Sequence, residues 1–308
     1  MKRKLALALL AALLLCVAVI VVGTRMKLDG VPAAADSTTV VVAAGDIAGC
    51  NGTNRSAETA RLLDTMSGTV LALGDNAYES GSTEEYTRCY DPTWGRVKAR
   101  TYPAPGNHEY QTDDAAGYFK YFGAAAGDPA KGYYSFDLGT WHVVVLNANC
   151  GEINGCGASS PENLWLQADL AAHRADCILA AWHQPRFSSG KEHGSDPAYD
   201  AFWRSLYAAR PDIILNGHDH QYERFAPQNP DQHADPNGIR EFVVGTGGQS
   251  AYPINPPIAN SELLRTDLFG VIKLSLHRSS YDWEYVPVAG ENFHDSGHAD
   301  CTPAPAGQ

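Results

Sequence analysis

From residue 38 onward, apolar and polar positions switch between a period of two and a period near 3.6. Thr38 to Ala44 is β-branched and apolar, the pattern of a buried strand, and it stops at Gly45-Asp46. Ser56 to Ser67 places Ala60, Leu63 and Met66 on one helical face, with Gly68 as the stop. Thr69 to Leu73 is the next strand and ends at Gly74-Asp75. The same reading predicts strands over Tyr133–Asp137, Trp141–Leu146, Cys177–Trp182, Ile213–Leu215, Glu241–Val244, Val271–Leu276 and Tyr281–Val286. Ser160-Pro161 opens a helix to about Ala172, with proline at its first position, and Tyr199 to Ala209 is another. Strands alternating with helices, followed by a strand-rich stretch, predict a layered α/β domain over 38–288. A linker over 31–37 precedes it, and 289–308, rich in Gly, Pro and Ala, reads as a tail.

The N-terminus is of another kind. Lys2-Arg3-Lys4 is followed by Leu5 to Val22, 18 residues without a charge. As a helix that run is roughly 27 Å long, close to a bilayer core of about 30 Å. Residues 1–30 therefore read as a signal peptide or a membrane anchor. The anchor fits better, because the A-x-A-like site at Ala33–Ala35 lies beyond Arg25 and Lys27. Either way the basic end stays inside and the remainder is extracytoplasmic, secreted or held to the membrane through residues 5–22. Six cysteines remain outside this segment, and six allow 15 pairings. Cys150 with Cys156 closes a short loop cheaply, and Cys50 with Cys89 and Cys177 with Cys301 follow. No C-x-x-C spacing occurs, so a cysteine metal site is not expected.

Composition narrows the function. At 44% hydrophobic and 19% charged, the chain is globular rather than disordered. Its net charge is −12, and residues 1–30 hold five bases and one acid; removing that +4 leaves −16 on the remainder. A surface that acidic repels a phosphate backbone, which excludes general nucleic-acid binding as the main role. Any affinity for anions must come from a local positive site.

Candidate chemistry sits where strands stop: Gly45-Asp46, Gly74-Asp75-Asn76-Ala77-Tyr78, Gly106-Asn107-His108-Glu109, Trp182-His183-Gln184-Pro185 and Gly217-His218-Asp219-His220. Ligand sites in open α/β sheets form beyond the carboxyl ends of strands, so these loops are expected to converge. The glycines before Asp46, Asp75, Asn107 and His218 are expected to make the sharp turns. Carboxylates, an amide, imidazoles and a phenol suit iron, zinc or manganese. Taken singly each has a blander reading: Asp46 as a capping acid, Tyr78 as a half-buried aromatic, Asn107 as a turn residue. His142 is expected to pack inside its strand, and Gly245-Thr246-Gly247-Gly248 to be a tight turn rather than a phosphate loop.

In this order the motifs resemble the calcineurin-like metallophosphoesterase superfamily and, within it, the purple acid phosphatases. The likeness runs from about residue 38 to 250 and includes Gly74-Asp75-x-x-Tyr78 and Gly217-His218-x-His220-x-Tyr222-Glu223-Arg224. It implies a four-layer α/β/β/α sandwich with a binuclear metal site at the strand C-terminal ends. It also implies that Asp75 bridges two metals, that Asp46, Tyr78 and His220 complete the first, and that Asn107, His183 and His218 complete the second. His108 would face the substrate, with Glu109 orienting it, and His193 would be a second substrate-facing histidine. Many members carry a histidine two residues after the first aspartate; here that position is Ala48, and Tyr78 supplies the missing donor. A phenol has a pKa of about 10 and needs a strongly polarising ion, which favours Fe(III) at the Tyr78 site with Fe, Zn or Mn at the second.

The implied activity is hydrolysis of small phosphate monoesters by attack of a metal-bound hydroxide with His108 assisting, as in an acid phosphatase. The same ions would serve a phosphodiesterase. An inactive extracellular binding protein on this scaffold is the alternative of another class, and it predicts a missing ligand.

Overall fold

The computed structural model describes residues 38–173 and 175–302. The segments read as signal peptide or anchor (1–30) and linker (31–37) lie outside the described residues. Among the described residues, no helix is long and apolar enough to cross a membrane.

Two sheets form the centre. In the first, the strand order is Asp295–Asp300, Ser280–Pro287, Gly270–Leu276, Thr39–Ala44, Thr69–Leu73, Thr101–Ala104. Its last three strands are parallel to one another. In the second, the order is Ser261–Arg265, Tyr222–Phe225, Arg240–Val244, Ile213–Asn216, Cys177–Ala181, Trp141–Val145, Tyr134–Leu138, with the four strands from Arg240–Val244 to Trp141–Val145 parallel.

Successive side chains of a strand point to opposite faces, so a strand buried on both sides must be apolar throughout. The second sheet follows this rule. Ile178, Ala180, Ile214 and Val243 pack under Leu166, Leu170, Phe202, Trp203 and Leu206 of the helices Pro161–Ala172 and Asp200–Ala209. The alternating set Leu179, Ala181, Ile213, Leu215, Phe242 and Val244 meets Val41, Leu71, Ile272 and Leu274 of the first sheet. Helix Ser56–Thr65 covers the other face of the first sheet through Ala60 and Leu63. The result is the expected helix, sheet, sheet, helix stack.

All three expected disulfides are present: Cys50–Cys89, Cys150–Cys156 and Cys177–Cys301. Helix Pro161–Ala172 begins as predicted, with the Ser160 side chain accepting from Asn163 N. One expectation needs correction. Residues 289–308 are not simply a tail, because Asp295–Asp300 is the edge strand of the first sheet and Cys301 is bonded to Cys177.

Candidate metal centre

The parallel strands of both sheets release their chains at one edge. Backbone bonds stitch the two sheets together there: Gly45 N donates to Val244 O at 2.9 Å and Gly247 N to Gly45 O at 2.9 Å; within the second sheet, Gly217 N donates to His183 O at 2.9 Å. The Gly245–Gly248 segment is thus a turn closing the seam, as its sequence suggested. The parallel bridge of Ala48–Gly49 with Ala77–Tyr78 carries Tyr78 beside Asp46.

Here the scattered candidates meet. Tyr78 Oη donates to Asp46 Oδ1 at 2.9 Å, approaches Asp75 Oδ2 at 3.1 Å and lies 3.3 Å from His220 Nε2. His220 Nε2 is also 3.3 Å from Asp46 Oδ1. On the other side of Asp75, His183 Nε2 stands 3.1 Å from Oδ2, and His218 Nδ1 is 3.3 Å from His183 Nε2. Asp75, His183 and His218 form one of the groups whose donor atoms lie close enough to hold an ion. Asp75 is therefore between two clusters, Asp46/Tyr78/His220 and His183/His218. The two other ring nitrogens are committed to backbone: His183 Nδ1 to Leu73 O at 2.8 Å and His220 Nδ1 to Ser250 O at 2.7 Å. Such bonds fix the tautomer that leaves Nε2 as a ligand.

The turns are made differently from the sequence expectation. Asp46, Asp75 and His218 themselves adopt φ of 61°, 48° and 70°, and of the four preceding glycines only Gly74 has a positive φ. Gly106 is required by space, since an added Cβ would lie 2.1 Å from Asp75 Oδ1.

The electrostatics are those of a site built for cations. Burial pushes the Asp75 carboxyl up, yet the charge of His183 and its hydrogen bond outweigh it and hold Asp75 well below the carboxylate range. Burial pulls His183 down, but Asp75 and Asp46 raise it to about 9. Burial together with His183 and His193 lowers His218 to about 3, which leaves it neutral. Burial and then Asp46 and Asp75 raise the Tyr78 phenol well above its ordinary value. Two buried carboxylates, three imidazoles and a phenol gathered in this way are a donor set suited to cations. Asn107 Oδ1 points the same way: it is buried and has no hydrogen-bond partner. The residues present fit a pair of metal ions.

His108 borders this cluster. Its backbone N donates to Asp75 Oδ1 at 2.8 Å, its Nδ1 bonds the Glu79 carbonyl, and its Nε2 faces Asp75 Oδ2 at 3.8 Å. Glu109 does not contact the His108 ring as expected. It is fully buried, and its carboxylate accepts from the backbone N of Asp75, Asn76, Ala77 and Gly106 and from Tyr86 Oη. Glu109 holds the loop that carries Asp75. His193 is exposed and stacks on His218 with ring centroids 3.9 Å apart. Tyr252, which no motif singled out, stacks on His220 at 3.8 Å.

Two other clusters are satisfied internally. His142 Nδ1 and Nε2 bond Asp137 and Asp169, each at 2.8 Å, inside the fold as expected. The group of Cys177, Asp212 and Cys301 contains a disulfide and no thiolate.

Known proteins resemble this chain in sequence and in fold. Among curated proteins, Purple acid phosphatase 21 of Arabidopsis thaliana is 31% identical over 186 residues, covering 53% of this chain and 41% of that protein. Purple acid phosphatase 15 of the same plant is 27% identical over 231 residues, covering 63% and 42%. The chain thus spans about two-fifths of the length of these relatives. Among solved structures, a purple acid phosphatase from yellow lupin seeds superposes with a TM-score of 0.72 at 18% identity, over 86% of this chain and 54% of that one. GAP50, the anchor in the inner membrane complex of Plasmodium, superposes with a TM-score of 0.64 at 13% identity, over 87% and 90%. The profile of the calcineurin-like phosphoesterase family matches residues 35–222, and the chain belongs to that family.

Proposed function

We propose that the protein is an exported, metal-dependent phosphatase that hydrolyses small phosphate monoesters at the Asp75 centre. The observation that carries the reading is the meeting of Asp46, Asp75, Tyr78, His183, His218 and His220 within a chain of 2.9–3.3 Å contacts; Asn107 Oδ1, next in sequence to His108, is buried without a hydrogen-bond partner. Asp46, Tyr78 and His220 would hold one ion, Asn107, His183 and His218 the other, and Asp75 both. When bound, such a pair supplies an activated water and neutralises phosphoryl charge. Fe(III) is favoured beside Tyr78, because a phenol pressed by two carboxylates gives up its proton only to a strongly polarising ion.

The chain's own groups would do the rest. His108 keeps the proton on Nδ1 through the Glu79 carbonyl, which leaves Nε2 to donate to the leaving oxygen when the ring is protonated. His193 would bind the substrate over His218. Glu109 would act by fixing the Asp75 loop rather than by touching substrate. Three disulfides support an oxidising, extracytoplasmic setting. Whether residues 5–22 anchor the protein is tested by extraction of membranes from expressing cells with alkaline carbonate.

The likeness to GAP50, an anchor in the inner membrane complex of Plasmodium, leaves the fold itself neutral on catalysis; the candidate ligand set is what favours an enzyme. The test is hydrolysis of p-nitrophenyl phosphate and bis(p-nitrophenyl) phosphate across pH, with elemental analysis and a visible spectrum. A monoesterase prefers the first substrate, and Fe(III) tyrosinate gives a broad coloured band. Preference for the second substrate would make it a diesterase. Two metals per chain with no turnover at any pH would leave a binding protein.

A further inference from the structure

The chain between His183 and the helix Asp200–Ala209 folds back over the site and carries His193. Its two ends are tied to one atom. Asp219 Oδ2 accepts from Ser188 Oγ at 2.5 Å and from Gly194 N at 3.1 Å. Gln221 Nε2 donates to Ser188 Oγ at 3.1 Å, and Ser188 N donates to Ser195 Oγ at 3.0 Å. Asp219 is fully buried, and its Oδ1 has no hydrogen-bond partner. A Cβ added at Gly190 would lie 2.1 Å from that Oδ1, so the loop is seated directly on the carboxylate. The outer side is fixed separately: Lys191 N donates to Pro253 O at 3.1 Å and Asn255 N to Ser189 O at 2.9 Å. Above this cradle the His193 ring lies 3.9 Å from His218 and 5.6 Å from Tyr252.

Asp219 stands between His218 and His220, where spacing alone needs no carboxylate. A buried carboxylate is costly, and both of its side-chain hydrogen bonds go to the His193 loop. We infer that Asp219 is a positioning residue that latches the 188–195 loop to the ligand-bearing turn and so sets His193 over the site. The inference rests on the phosphatase reading for the role of His193; the latch itself does not.

The test uses the full-length, metal-loaded chain and the variants Asp219→Ala, Asp219→Asn, Ser188→Ala, His193→Ala and the Asp219→Ala/His193→Ala pair. Metal content, KM and kcat on p-nitrophenyl phosphate, and amide hydrogen exchange over 188–195 are measured. D219A is expected to keep two metals and to speed exchange across 188–195 by about tenfold or more. It lowers kcat/KM roughly 10- to 100-fold. S188A moves both in the same direction by less, and D219N, which retains an acceptor for both donors, recovers most of the loss. Adding H193A to D219A costs little more, because the histidine is already out of place. Unchanged exchange in both D219A and S188A, multiplicative losses in the double variant, or loss of metal in D219A with wild-type behaviour of S188A would each overturn the latch. Should the wild type neither hydrolyse the ester nor bind inorganic phosphate, the phosphatase reading fails alone, and the exchange measurements still decide the latch.

Discussion

Three side chains aimed at the centre, Asp46, Asp75 and His218, sit in left-handed backbone. That conformation costs a non-glycine residue on the order of 1 kcal/mol and persists where the surroundings impose it. The surroundings are on view: Asp46 Oδ2 accepts from His218 N at 2.8 Å, and Asp75 Oδ1 from His108 N at 2.8 Å, so carboxylates and turns hold one another. Asp75→Ala is expected to abolish metal loading and turnover together; elemental analysis showing two metals in that variant would remove the bridging role. His108→Ala keeps its metals and loses about 10²- to 10⁴-fold in kcat, as for a general acid. Glu109→Gln puts an amide donor against backbone donors, costs about 1–3 kcal/mol in urea unfolding, and lowers metal affinity through the Asp75 loop. The sequence marked these residues as candidates because polar residues after apolar strand ends are conspicuous. It did not disclose the φ values or the job of Glu109, which depend on contacts between separate loops, such as Glu109 with Asp75 and Asp46 with His218.

Strands and helices were legible where burial wrote a pattern. Most interior strands carry apolar side chains on both faces and were found to within a residue or two; Tyr222–Phe225, an interior strand that holds Glu223 and Arg224, was missed because its polar residues break that pattern. Thr101–Ala104, Ser261–Arg265 and Asp295–Asp300 were missed too; each is an edge strand. Asp295–Asp300 has only Asp295 buried, and no hydrophobic alternation marks it. It is held by pairing with Ser280–Pro287 and by Asp295, which accepts from Tyr222 Oη at 2.7 Å and Arg224 Nε at 2.9 Å. The Cys177–Cys301 disulfide then closes a separation of 124 residues around it. Replacing both cysteines by serine is expected to lower stability by about 3–5 kcal/mol in urea, with metal content retained, because the bond constrains a long loop far from the site.

The two-sheet stack also fixes how stability responds to acid. Asp212, 4% exposed, has a carboxyl raised to about 7 by burial, despite the bonds it accepts from Ile178 N and Thr302 N. Its folded value exceeds the unfolded one near 3.8, so the folded chain keeps a proton that the unfolded chain releases between about pH 4 and 7. The stabilisation is complete below pH 4 and is lost as pH rises through 7. Buried Glu162, Glu223 and Glu241 are raised in the same direction by burial. Asp212 is expected to add stability as pH falls from 7 to 5, so Asp212→Asn should gain less, or lose more, over that range than the wild type in equilibrium unfolding. An equal slope in that variant would remove Asp212 from the account.

The sequence by itself determined the layered α/β class and the types and order of the candidate donors, because these are written in local chemistry or in periodic burial; the four layers came from the family resemblance, and the cysteine pairs were one choice among fifteen. Only the tertiary structure decided the left-handed turns at Asp46, Asp75 and His218, that Glu109 faces the Asp75 loop, and that Asp219 bonds the His193 loop. These depend on contacts between segments far apart in the chain. Their partners are chosen by how two sheets close at one edge, which no local pattern records.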